Sequence, residues 1–174
     1  MKNNLVQTVP GHFENDDYVF FWNGPFSNWY MSTFTMPTDL GMVQFSSSEQ
    51  AMMYFKATTF GDAESGREIL ATNSPREQKA IGRKVKNFDS AKWDAVCVQI
   101  VTDILVHKFN SDDKLKVILL DTNNKHIVEA SPFDTIWGIG MGVDNPDVLD
   151  QSLWNGKNYL GICLMNAREI IRNG

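Results

Sequence analysis

Glu49 and Lys56 stand seven residues apart in Ser48-Glu-Gln-Ala-Met-Met-Tyr-Phe-Lys-Ala57. That is about two helical turns, so a helix would project both from one face. Met52, Met53 and Phe60 recur on the same face at three-four spacing. A carboxylate and an ammonium inside an apolar stripe are costly unless they pair or do chemistry. The plainer reading makes Glu49 the last residue of a Ser46-Ser-Ser-Glu49 capping box and lets Lys56 reach water. Both readings stay open on spacing alone.

A second group lies in Glu129-Ala-Ser-Pro-Phe-Asp-Thr-Ile-Trp-Gly-Ile-Gly-Met-Gly142. Two carboxylates, Glu129 and Asp134, flank a proline turn, and Trp137 follows in a glycine-rich loop. Breaking a glycosidic bond passes through an oxocarbenium-like state, which carboxylates stabilise while activating water or protonating the leaving group. An indole can stack on a base or a sugar. Against this, Asp134 and Ser131 are ordinary turn residues and Trp137 is ordinary core. Trp22, Phe26 and Trp29, near Asn23 and Asn28, would either wall a nucleotide pocket or fill core. Gly138, Gly140 and Gly142 lack the strand and immediate helix of a dinucleotide loop, so a Rossmann reading is rejected. Their amides could still form a phosphate nest. His12, His107 and His126 are scattered, and no HExxH, CxxC, P-loop or GxSxG pattern occurs, so the sequence offers no metal site.

Helices must position most of these groups. One is expected from the Ser46 cap to about Phe60, another over 63–71, and a third from Ser74-Pro75 to about Lys84. The longest begins near Ser90 and carries Trp93, Cys97, Ile100, Val101, Ile104 and Leu105 on one face. Ser111 caps a helix through Leu120, Asn145-Pro146 opens a short one, and the last runs over about 159–172. Strands are expected only at Tyr18–Trp22, Met42–Phe45 and Ile127–Ala130. The fold expectation is therefore mainly α: a compact single-domain helical fold over 1–174 with a few short strands and a loosely ordered segment 1–15.

The bulk properties narrow the classes. The 174 residues, 43% hydrophobic and 21% charged, suit one globular domain rather than disorder. No apolar run could span a bilayer, and no secretory signal is visible, so a cytoplasmic protein is expected. Cys97 and Cys163 sit in apolar helical patterns and read as buried thiols of a reducing compartment. A net charge of -5 disfavours gripping long nucleic acid but not handling one nucleotide.

Pro25-Phe-Ser-Asn28, the Ser48–Ala57 block, Phe60-Gly-Asp62, Gly82-Arg83-Lys-Val-Lys-Asn-Phe88, Lys108-Phe109, Val128–Gly140 and Trp154-Asn-Gly-Lys-Asn-Tyr-Leu-Gly161 occur in an order that resembles the YbiA-like, or NADAR, family over about Tyr18–Arg172. The resemblance implies N-glycosidase chemistry without metal or cofactor, on ribosylated heterocycles. Some members hydrolyse ribosylamino-pyrimidine phosphates of riboflavin biosynthesis; others remove ADP-ribose from guanine in nucleic acid. Carried over, Glu49 is a principal catalytic carboxylate, with Asp134, Trp93 and Trp137 in the same pocket. Asn28 would contact sugar or base, and Lys56, Arg83 and Lys157 phosphate. Glu129, Trp22, Phe26 and Gly138 complete the expected substrate-binding set. The segments 31–44 and 142–152 are fuller than a minimal member needs, which suits a larger substrate such as ADP-ribose, and ADP-ribosylated DNA or RNA is the expected partner. Two rival classes are a non-catalytic nucleotide-binding module and a purely helical interaction protein whose Glu49 is only a cap.

Overall fold

In the structure, a computed structural model that describes residues 4–174, six helices share the chain with two β-sheets. Helix accounts for 44% and strand for 18%, so the fold is α/β and the mainly α expectation is wrong. Two compact units emerge: residues up to Ser27 together with Lys116–Gly174, and Asn28–Leu115.

The first unit holds a four-stranded sheet in the order β1-β2-β3-β6. Strands β1 (Val6–Val9) and β2 (His12–Glu14) form a hairpin around Pro10-Gly11, with Gly11 at a φ of 82°. Residues 6–14, expected to be loose, are therefore sheet; residues 1–3 lie outside the described part. β2 pairs antiparallel with β3 (Tyr18–Phe21), and β6 (His126–Glu129) runs parallel to β3. Burial of both faces of β3 explains its unbroken apolar run. Phe20 and Val128 pack with Ala130, Ile139, Met141 and Val148. Helix α6 (Tyr159–Asn173) covers β6. Between them only a single 3-10 turn, Gln151–Leu153, interrupts the loop; the short helix expected at Asn145-Pro146 does not form.

The second unit begins with the hairpin β4 (Met31–Thr38) and β5 (Gly41–Ser47), joined at Thr38↔Gly41. The sequence reading took most of 31–44 as loop. Only Phe34 and Met36 of β4 are buried, and the strand accommodates Pro37 because an edge strand tolerates proline and here both strands are edges. Four helices follow: α1 (Ser48–Thr59), α2 (Ala63–Leu70), α3 (Pro75–Gly82) and α4 (Ser90–Asn110). α5 (Asp113–Leu120) contains the boundary between the units. Helix α1 packs against α2, α3, α4 and β5, and its first seven residues are all buried. A helix buried all round is one whose polar residues must be accounted for.

Candidate active site

Helix α1 does not start as a Ser46/Glu49 box. Ser47 is the cap, its hydroxyl accepting from Gln50 N at 3.1 Å, and Gln50 Oε1 accepts in return from Ser46 N at 2.8 Å. The box is shifted by one residue, and the glutamine closes it. The Gln50 amide also donates to the carbonyls of Ile69 (3.1 Å) and Thr72 (2.9 Å), and Gln78 donates to Thr72 O at 2.6 Å. This buried network fixes the start of α1 and releases Glu49 from capping.

Glu49 is 2% exposed and sits in the first turn of α1, where the helix dipole favours negative charge. Its backbone N donates to Asn28 O at 2.9 Å. Asn28 is buried as well, and its Oδ1 accepts no hydrogen bond among the described residues; the same holds for the buried Ser48 hydroxyl. Buried polar atoms of this kind near a buried carboxylate make this region the candidate centre.

Two turns along, Lys56 is half-buried with its ammonium 4.2 Å from the Phe88 ring centroid. Burial pushes its pKa below the usual lysine value; Glu49 opposes that shift and Arg83 adds to it. Glu49, Lys56 and Arg83 thus belong to one electrostatic cluster. Arg83 is exposed at the end of α3, and Trp93, in the first turn of α4, is buried. Asp62 holds the segment after Arg83 in place: it accepts from Lys86 N, Ser65 N and the Ser65 hydroxyl, and these bonds lower its pKa to about 2. Sequence reasoning did not single out Lys108 as a site residue. It is fully buried near the rings of Tyr30 and Phe109, and burial alone lowers its pKa to about 7. A lysine on an apolar helix face reads as a snorkelling side chain, and only packing shows otherwise.

The other expected residues lie in the first unit. Asp134 is half-buried, and its Oδ1 accepts from Ile136 N (2.9 Å) and Trp137 N (2.8 Å), which is the turn role expected of an aspartate here. Trp137 meets Tyr159 edge to face at 6.1 Å, and Lys157 Nζ lies 5.1 Å from the Tyr159 ring, so these three side chains gather together. Glu129 is half-buried at the end of β6. Asn158, not anticipated, clamps that end: it accepts from Glu129 N at 3.0 Å and donates to Ile127 O at 3.0 Å. Its left-handed φ of 53° and buried amide suit an asparagine. Gly138 is buried against Glu129 O and Asp134 O, and the amides of Ile139 and Gly140 bond those same two carbonyls, so Gly138 permits close packing and those two amides are engaged within the loop. Phe26 is fully buried, stacked on His12 at 4.3 Å and against Phe21, which is a core position. Trp22 is half exposed beside Phe133.

The family model described as NADAR domain matches residues 20–172, and the chain belongs to this family. The protein "N-glycosidase R617" of Acanthamoeba polyphaga mimivirus is 38% identical over 165 residues, covering 90% of this chain and 97% of that one. The "N-glycosidase YbiA" of Escherichia coli (strain K12) is 30% identical over 155 residues, covering 89% and 82%. The NMR structure of the E. coli protein YbiA superposes with a TM-score of 0.71 at 27% identity, covering 94% of this chain and 89% of that one. No helix among the described residues is long and apolar enough to cross a membrane.

Proposed function

We propose that this chain is an N-glycosidase that hydrolyses the bond between a ribose C1′ and a base nitrogen, with ADP-ribose attached to guanine in nucleic acid as the substrate. The observation that carries the chemistry is Glu49, a buried carboxylate in the first turn of a helix capped by Ser47 and Gln50, its backbone N bonded to the carbonyl of the buried Asn28. Water adds to C1′, one proton of that water passes to a carboxylate, the C1′–N bond breaks, and the base nitrogen takes up a proton. Glu49 stabilises the oxocarbenium-like sugar and orients the water. Asn28 bonds a sugar hydroxyl or the base, and Lys56 with Arg83 favours an anionic substrate. Family resemblance places Asp134, Trp93 and Trp137 at the substrate, and in this reading Asp134 shares the carboxylate roles with Glu49 while Trp93 or Trp137 stacks on the base. The preference for an ADP-ribosylated substrate rests on the fuller segments 31–44 and 142–152.

The test is Glu49→Gln, which keeps the shape and removes the charge. With ADP-ribosylated guanine oligonucleotide, sugar release followed by mass spectrometry should fall by about 10²- to 10⁴-fold. A ribosylamino-pyrimidine phosphate tested alongside assigns the substrate. Release from that compound alone would replace the ADP-ribose reading, and no release from either would make the chain a binding module.

A further inference from the structure

Arg76, Lys79 and Arg83 recur at i, i+3 and i+7, so they align along one side of α3 and its C-terminal end. With Trp29 and Ala80 they line a groove of about 520 Å³. Its wall is an indole that is 45% exposed, with Lys79 Nζ 5.9 Å from the ring centroid. None of the five lining residues is acidic. The other side of α3 has the opposite character: Glu77 bonds the Thr72 hydroxyl and lines a separate cavity with Glu68. In a chain of net charge -5, five of the sixteen basic residues (Arg76, Lys79, Arg83, Lys84, Lys86) fall between positions 76 and 86, and of these Lys86 is paired with Glu64. The groove adjoins the candidate centre through the chain itself, because Trp29 follows Asn28 and Lys56 senses Arg83.

We infer that this groove binds a nucleotide, its base stacked on the Trp29 indole and its phosphate held by Arg76, Lys79 and Arg83. An exposed aromatic face flanked by cations suits that chemistry, because every base offers a π-face and guanidinium groups match phosphate geometry. A free nucleotide and a nucleotide within a strand present the same groups. The inference rests on reading the neighbouring centre as one for a ribosylated nucleotide, and it concerns a subsite outside the scissile bond.

The test measures binding, not turnover. An unmodified, fluorescein-labelled single strand of about ten nucleotides and, separately, AMP are titrated with the full chain across a salt series. Arg76→Glu with Lys79→Glu should weaken strand binding by at least about tenfold and lower the salt slope by about 1.4, the amount for two lost phosphate contacts. Lys114→Glu with Lys116→Glu, which alters net charge equally but lies on α5, should change affinity by less than about twofold. Trp29→Ala should weaken binding by about fivefold or more, and Trp29→Phe should retain most of it. Strand binding without AMP binding identifies nucleic acid as the source; AMP binding as well identifies the nucleotide unit itself. Binding of neither, equal losses in the two charge-reversal variants, or an unaffected Trp29→Ala would overturn the inference. A chain that binds strand but releases no sugar would sink the glycosidase reading and leave the groove standing.

Discussion

The two units position their chemistry-bearing residues by different means. In the second unit Glu49 belongs to a helix buried on every side, and its neighbours Ser47 and Gln50 satisfy the helix terminus so that it need not. In the first unit Asp134 and Gly138 lie in an irregular loop, where the aspartate bonds backbone amides and the glycine lets the chain pack on itself. At a helix start, the cap bonds show which residues hold the terminus, here Ser47 and Gln50. A polar group in a loop, such as Asp134, makes its turn bonds with the same atoms that any chemistry would use. Substitution separates the two cases where inspection does not.

The largest expected effect is on Glu49→Gln, whose loss of turnover should leave thermal stability nearly unchanged because Gln50, not Glu49, closes the cap; a marked fall in Tm would return Glu49 to a structural role. Asp134→Asn probes the loop in the same way, since asparagine still accepts from Ile136 N and Trp137 N and only the charge is lost. We expect a fall in turnover of about tenfold or more with a near-native Tm. Wild-type turnover would reduce Asp134 to its turn bonds.

Next come the packing contacts peculiar to each unit. A Cβ on Gly156 would meet the Gly138 carbonyl oxygen and the Ile139 backbone, neither of which is the far end of a flexible side chain. Gly156→Ala should cost about 3 kcal/mol by urea denaturation. Gln50→Leu leaves the Ile69 carbonyl without its amide donor and should cost about 2 kcal/mol. Stability unchanged by Gly156→Ala would mean that the loop shifts freely, and the contrast between the units would narrow.

The most gradual effect is a pH dependence that arises in the first unit. His12 is buried against Phe26, and burial lowers its pKa to about 4 while Glu14 opposes the shift. The unfolded chain takes up this proton near pH 6.5 and the folded chain only near pH 4. The stability it supports is thus complete above about pH 6.5 and declines as pH falls toward 4, by up to about 2–3 kcal/mol. Urea midpoints of wild type and His12→Gln between pH 7 and pH 4 should converge on acidification. Parallel curves would place the acid sensitivity elsewhere.

Within the helices, residue spacing located nearly everything. The buried face of α4, the Ser74-Pro75 start of α3 and the span of α6 follow from side-chain period and cap chemistry, both local. Strands β1, β2 and β4 escaped because a short strand has little periodicity of its own and gains its partner through the tertiary fold. The same division runs through the candidate site. Glu49 and Lys56 were legible from helical spacing and Arg83 from the family resemblance, whereas the burial of Lys108 and the Asn158 clamp became visible only with the chain folded.

Sequence alone determined which residue types exist for glycosidic chemistry, the helices that carry several of them, and the family to which the chain belongs. Tertiary structure decided that Gln50 rather than Glu49 caps α1, that Phe26 is core, that Lys108 is desolvated, and that the basic side of α3 faces an exposed indole. Caps and periodicity are set within a few residues of chain, whereas burial and charge environment are set by whatever the rest of the molecule brings alongside.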